Sequence, residues 1–232
     1  WRLKSGWKSP RRHWRRSKTN HELMLRAYVK KYGITGENID KLNVALAQVS
    51  VKNHANATKN AYAQFQRKIT VDHVLSARKA AQKPLGLYDF APISDGASAL
   101  ILTSEACAKK MTAQPVYVLG YSSATDYLNF PTRDDLTHFT ATKIAIKNAL
   151  KMAGKTPWDM QVVEVYDQST VMEMVSLEDL GFCEPGTAWK SINESCQDYK
   201  GCYEINGNQI FVNMDGGLKA DGNPLGATGG AQ

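Results

Sequence analysis

An α/β fold, with helices layered on a sheet, is predicted from three observations. Stretches with apolar residues at helical spacing alternate along the chain with short apolar runs of strand length, the pattern of layered α/β domains. Two of those runs end in polar or glycine-rich junctions, where α/β folds collect their ligand contacts. With 232 residues and 43% apolar content, the chain is long enough to bury a sizeable core as one large domain or two small ones.

The elements follow in order. From His21 the apolar positions Leu23, Leu25, Ala27 and Tyr28 carry a helix to Lys31, and Gly33 stops it. Thr35 can cap a second helix bearing Ile39, Leu42, Val44, Leu46 and Val49. Residues 53–60 are polar and turn-rich. Thr70 precedes a third helix with Val71, Val74 and Leu75 on one face, and Pro84 ends that stretch because proline cannot continue a helix interior. Small residues from Pro92 feed the apolar run 99–102, which reads as a buried strand, followed by a short helix over 104–111. Residues 115–120 read as another strand. Over 136–153, Leu136, Phe139, Ile146, Leu150 and Ala153 line one helix face, while Lys143, Lys147 and Lys151 form a solvated face. Gly154 is its C-cap. Residues 161–167 form a strand and 170–180 a helix closed by Gly181. Residues 184–208 are loop with one short helix, and 209–212 is the last strand.

Charge is unevenly placed. The first twenty residues hold eight Lys or Arg and no acid, and the other 212 carry 21 basic and 22 acidic residues, net −1. The folded body therefore has no basic surplus with which to bind nucleic acid. The tail 1–20, with Trp1, Trp7 and Trp14, is either a non-native or disordered segment or a basic segment that binds an anionic membrane or nucleic acid. No run of eighteen apolar residues offers a membrane span, and no apolar segment follows the charges as in a signal peptide. Cys107, Cys183, Cys196 and Cys202 lack zinc-ligand spacing, so free thiols in a reducing, cytoplasmic setting are expected. Cys196 and Cys202 would pair only in an exported chain, and Cys183 reads as a structural thiol after a helix.

Six of the seventeen glycines fall in the last twenty-one residues, a density that lets backbone approach a ligand closely. Asn213, Gly216, Gly217, Gly222, Pro224, Gly226, Ala227, Thr228 and Gly229 match a long pattern. It resembles the Asn-x-x-Gly-Gly-x-x-x-x-Gly-His-Pro-x-Gly-Ala-Thr-Gly loop of the thiolase family. One position departs: Asn223 stands where the family carries its catalytic histidine. Upstream, Glu164-Val165-Tyr166-Asp167-Gln168-Ser169-Thr170 resembles the Glu-Val-His-Asp-x-Phe-Thr segment of the sterol-carrier-type branch, with Tyr166 for the histidine and Ser169 for the phenylalanine. Residues 51–54, 62–65, 92–97 and 180–183 also resemble that branch, so the likeness covers about residues 21–232.

The resemblance implies a fold of two similar halves stacked as α/β/α/β/α layers. Residues 21–111 would close the first half, with loop-domain segments, and 112–232 would open the second. The family's nucleophilic cysteine would precede His21 and its Cys-x-Gly cysteine would follow Gln232, leaving the chain incomplete at both ends. The implied activity is acyl transfer between acyl-CoA thioesters by Claisen condensation or thiolysis, with coenzyme A as substrate and no separate cofactor. Asn223 can donate from its amide but cannot take a proton near neutral pH. Tyr166 can donate to an oxyanion. Asp167 either orients Tyr166 or caps the helix at Thr170. Gly216, Gly217, Gly222, Pro224 and Gly226 would border the substrate. Lys219 either holds a coenzyme A phosphate or faces solvent, and His54, His73 and His138 are structural or exposed. The partners implied are acyl-CoA and further copies in a homodimer or tetramer. Two alternatives stand beside acyl transfer: an aldol lyase acting on CoA esters with an OB-fold or zinc-ribbon partner, and a non-catalytic acyl-CoA-binding subunit.

Overall fold

A computed structural model describes the backbone of residues 10–195 and 201–232, with side chains from residue 19 onward in those spans. Residues 1–9 of the basic tail, and Cys196 with its conditional pairing, lie outside the described residues. Helix α1 (Pro10–Lys31) takes in the helix predicted from His21 and begins earlier. Helix α2 (Glu37–Ala57) starts after Gly36, so Thr35 is not its cap. It also runs through residues 53–57, which the sequence places in a turn-rich loop. Asn53, His54 and Asn56 are polar because they face a buried hydrogen-bonding site, not because they face water. Helix α3 (Val71–Ala81) has the predicted Thr70 cap, made reciprocal by His73, and α4 (Glu105–Met111) follows Ser104. Helix α5 (Thr140–Ala153) begins four residues after the predicted start and ends at Gly154 in the left-handed conformation.

The second half supplies β1 (Val162–Val163), α6 (Thr170–Asp179), α7 (Ala188–Ser195), β2 (Cys202–Ile205), β3 (Asn208–Val212), α8 (Gly217–Ala220) and α9 (Thr228–Ala231). The sheet order is β1-β3-β2, with β1 parallel to β3 and β2 antiparallel to it. Strand β2 lies inside the stretch predicted as loop. Its hairpin turn, Asn206-Gly207, has both residues at positive φ, the signature of a two-residue type I′ turn. That dipeptide between apolar runs is a sequence signal for the hairpin.

The core gathers around α2 and α6. Met24 and Tyr28 of α1, Leu42, Leu46 and Val49 of α2, Val171, Met174 and Leu177 of α6, and Trp189 and Ile192 of α7 pack with Tyr203, Ile210 and Val212 of the hairpin. Burying each such side chain contributes about 1.5–3 kcal/mol. The α/β class is borne out. Two predicted strands are not: 99–102 and 115–120 belong to no helix or strand and pair with no neighbour among the described residues, and Ile101 and Val116 are 82% and 96% exposed. A strand is completed by a hydrogen-bonded neighbour, and β-forming composition alone does not provide one.

Candidate functional site

Because β1 and β3 are parallel and adjacent, with Val163 opposite Val212, their following junctions emerge side by side. Asn213 fastens the two. Its backbone N–H donates to the Val163 carbonyl at 3.0 Å, and its Oδ1 accepts from the Val165 N–H at 2.8 Å. The junctions singled out from the sequence therefore converge.

Tyr166 and Asn223 meet there. The Tyr166 hydroxyl donates to Asn223 Oδ1 at 3.2 Å, which also accepts from the Leu225 N–H at 3.2 Å and the Thr228 hydroxyl at 3.3 Å. A backbone N–H can only donate, so this contact fixes the amide orientation and leaves Nδ2 as the remaining donor. Asn223 is buried, whereas Tyr166 is 41% exposed and within reach of a ligand. Ser94 takes the Asn223 N–H at 3.0 Å and donates to Gln64 at 2.6 Å. The loop is thus tied to residues 64 and 94, both in segments of the sterol-carrier-type resemblance.

Asp167 takes neither role expected of it. Its buried carboxylate accepts the Leu218 N–H at 2.7 Å and the Lys219 N–H at 3.4 Å, and Asn53 Nδ2 reaches it at 2.8 Å. It holds the N-terminal turn of α8, and Ser169, not Asp167, precedes α6. Burial and the neighbouring Glu173 hold its carboxyl well above the usual carboxylate range, opposed by the Leu218 N–H. Of the predicted substrate-bordering residues, Gly216 and Gly217 are packed inward against Ala57 and Asp167. Gly222 sits against Ser94 and Pro224 against Gly96, while Gly226 is open. Lys219 is buried, which excludes a solvent-facing role. His138 is buried on Asp179 at 2.8 Å and bonded to Tyr32 at 2.9 Å, a structural role.

The residues that sequence reasoning misses lie beneath this loop. Lys52 donates to the Val212 carbonyl at 2.5 Å and Asn53 Oδ1 at 2.6 Å, and pairs with Glu173 at 3.1 Å. Glu173 also accepts from Asn53 and Asn213 at 2.8 Å and from the Tyr203 hydroxyl at 2.6 Å. Asn56 donates to the Asn213 carbonyl at 3.0 Å, and Asn60 to the Asp215 carbonyl at 3.0 Å and the Asp221 carboxylate at 2.8 Å. The signal available was a lysine and asparagines continuing an apolar helical pattern.

Glu164 adds a titratable element at the junction. Burial, then the charge of Asp215, pushes its carboxyl from 4.5 to about 8, opposed by the Met214 N–H. A raised carboxyl contributes stability fully below pH 4.5, and loses it as pH rises through about 8. Glu164→Gln keeps the oxygen that takes the Met214 N–H at 2.8 Å. The variant should gain stability over wild type between about pH 5 and 8. Urea unfolding across that range checks it, and a pH-independent difference contradicts it.

Among the described residues no group of three or more His, Cys, Asp or Glu side chains is placed to hold a metal ion, and no helix is long and apolar enough to cross a membrane. Burial pushes the Cys183 thiol up to about 11, as suits a structural cysteine.

Residues 122–231 match the family described as thiolase C-terminal domain-like. The chain is 42% identical over 212 residues to an acetyl-CoA acetyltransferase of Methanothermobacter thermautotrophicus, covering 91% of this chain and 51% of that protein. It is 36% identical over 210 residues to a sterol carrier protein 2 of Gallus gallus, covering 88% and 36%. The chain thus spans about half the length, or less, of these relatives. Among solved structures, an Ltp2-ChsH2(DUF35) aldolase superposes with TM-score 0.74 at 23% identity over 91% of this chain and 53% of that one. A monomeric SCP2-thiolase like protein type 1 from Mycobacterium smegmatis superposes with TM-score 0.61 at 16% identity over 88% and 41%. These likenesses show a thiolase-like fold.

Proposed function

Since the chain belongs to the thiolase superfamily, in the branch of sterol-carrier-type thiolases and acetyl-CoA acetyltransferases, we propose that it provides part of an active site for acyl transfer between CoA thioesters. The observation that carries this reading is the Tyr166–Asn223 contact, 3.2 Å long, at the ends of two parallel strands beside the glycine loop. Bound there, a thioester carbonyl would meet the Asn223 amide N–H, a neutral donor suited to the charge that develops on its oxygen, while the Tyr166 hydroxyl donates to Oδ1 of the same amide and holds it in place. An amide takes no proton near neutral pH, so proton removal falls to another group. By resemblance, the cysteine chemistry belongs to parts of the fold this chain does not span. Acyl-CoA is the substrate, and the intact protein works as a homodimer or tetramer, which sedimentation tests.

The defining experiment assays the intact protein for coenzyme A-dependent thiolysis of acetoacetyl-CoA. Asn223→His restores a group that can carry a proton, and should raise thiolysis about 100-fold, the low end of the range for one general acid–base group. Tyr166→Phe should lower it about tenfold. Unchanged rates in both variants would overturn the assignment of these residues.

One observation favours a second reading. Tyr166 is the exposed member of the pair, and asparagine stands where the family's proton carrier belongs. These features suit aldol cleavage of a 3-hydroxyacyl-CoA, in which a base outside this pair takes the hydroxyl proton, the adjacent carbon–carbon bond breaks to give a carbonyl compound and the CoA-ester enolate, and the enolate takes a proton back to give the shortened acyl-CoA. Such an enzyme would work with a DUF35-type partner, as the name of the aldolase neighbour states for that complex. Carbonyl release without coenzyme A consumption distinguishes this reading. Saturable acyl-CoA binding without either turnover would assign a non-catalytic binding subunit.

A further inference from the structure

A cavity of about 120 Å³ lies between the end of α2, the turn at residues 65–67 and the segment 87–92. Phe65, Tyr88 and Phe90 form apolar walls, and the basic residues on it are His54, Arg67 and Lys219. No acidic residue lines it. None of its lining residues forms a hydrogen bond with Tyr166 or Asn223.

Lys219 is 4% exposed, and among the described residues its ammonium has no hydrogen bond or ion pair; it lies 5.5 Å from the centre of the Phe65 ring. The carboxylates near it are engaged elsewhere. Asp89 is held by Arg78 at 2.5 and 2.8 Å and by Thr170 at 2.9 Å, while Asp167 is held by backbone N–H groups and Asn53. Burial accordingly lowers the Lys219 ammonium to about 8. A buried cation without a counter-ion is costly unless a ligand supplies one.

His54 supplies a second polar contact. Its Nδ1 faces the Arg67 carbonyl at 3.0 Å, and a carbonyl can only accept, so Nδ1 carries the hydrogen. Burial, reinforced by Lys219, keeps the ring neutral near pH 7 by lowering it to about 4. Its Nε2 is then a lone-pair acceptor, buried and without a partner. The exposed Arg67 stands at the rim.

We propose that this cavity binds a short hydroxycarboxylate, with the carboxylate on the Lys219 ammonium and the hydroxyl donating to His54 Nε2. A cavity of roughly 150 Å³ accepts benzene, so this slightly smaller one suits a ligand of about six non-hydrogen atoms. The aromatic walls and the single buried cation disfavour a phosphate dianion, which needs more donors than are present.

The test titrates the intact protein with lactate, propionate and inorganic phosphate while following the His54 ring resonances by NMR. Lactate should shift them saturably and bind several-fold more tightly than propionate. Lys219→Gln should weaken lactate binding by about tenfold or more, the loss of one charge-assisted hydrogen bond. Absence of a saturable shift with lactate would overturn the proposal, as would propionate binding equally well, phosphate binding more tightly, or unchanged affinity in Lys219→Gln. The comparison of lactate with propionate uses the wild-type protein and does not depend on the variant folding. Thiolysis and aldol assays do not enter this test, so its failure and failure of the catalytic reading are separable.

Discussion

Lys52→Met should destabilise the protein by about 3–5 kcal/mol, the cost of breaking a buried ion pair from one side. Lys52 is 2% exposed and Glu173 fully buried, so no water replaces the missing ammonium. The substitution strips a donor from the Val212 carbonyl, Asn53 Oδ1 and Glu173 at once. Glu173 would retain Asn53, Asn213 and Tyr203 as donors, but its charge would stand in the core without a cation. Denaturant unfolding measures the loss, and a change below about 1 kcal/mol would show that the ammonium is dispensable. The effect should also reach the candidate site. Asn53 links Glu173 to Asp167, and Asp167 holds the Leu218 N–H, so hydrogen exchange at Leu218 should accelerate in the variant. Unchanged exchange there would uncouple the buried network from the glycine loop.

Gly216→Ala should cost about 2–5 kcal/mol, combining backbone strain with overpacking. Gly216 has φ +117°, and an added Cβ would stand 2.7 Å from Ala57 Cβ and 3.0 Å from its Cα. The second neighbour is helix backbone, which cannot rotate away. Alanine at Gly226 meets nothing within 4 Å, and serves as the matched control with a change near zero. Equal effects at the two positions would remove the packing argument. If Gly216→Ala folds, its loop should be displaced from the α2 terminus. The Tyr166–Asn223 contact should then loosen, and turnover should fall more than the stability loss alone accounts for.

Different parts of the molecule were legible to different degrees in the sequence. The Thr70 cap and the Gly154 helix end act within one turn, so a short window of sequence carries them. The Asn206-Gly207 hairpin signal is equally local, and the loop prediction over 184–208 passes over it. Of the polar run 53–60, residues 58–59 do turn but 53–57 are helical: polarity correlates with exposure, whereas these asparagines serve acceptors more than a hundred residues away. The apolar runs 99–102 and 115–120 have strand composition without a strand, since pairing is a property of two segments.

By itself, the sequence determined the α/β class, the helices with strong periodicity or caps, and the family. It also singled out the junctions holding Tyr166 and Asn223, because spacing and residue type are written along the chain. Only the tertiary structure decided that those junctions meet, that Asp167 holds α8 in place of orienting Tyr166, and that Lys219 is buried beside a neutral His54. Each of these depends on contacts between segments far apart in the chain, such as Lys52 with Val212 and Tyr166 with Asn223. Local backbone preferences do not reach that far; the joint burial of the helices and the pairing of β1 with β3 bring these groups together.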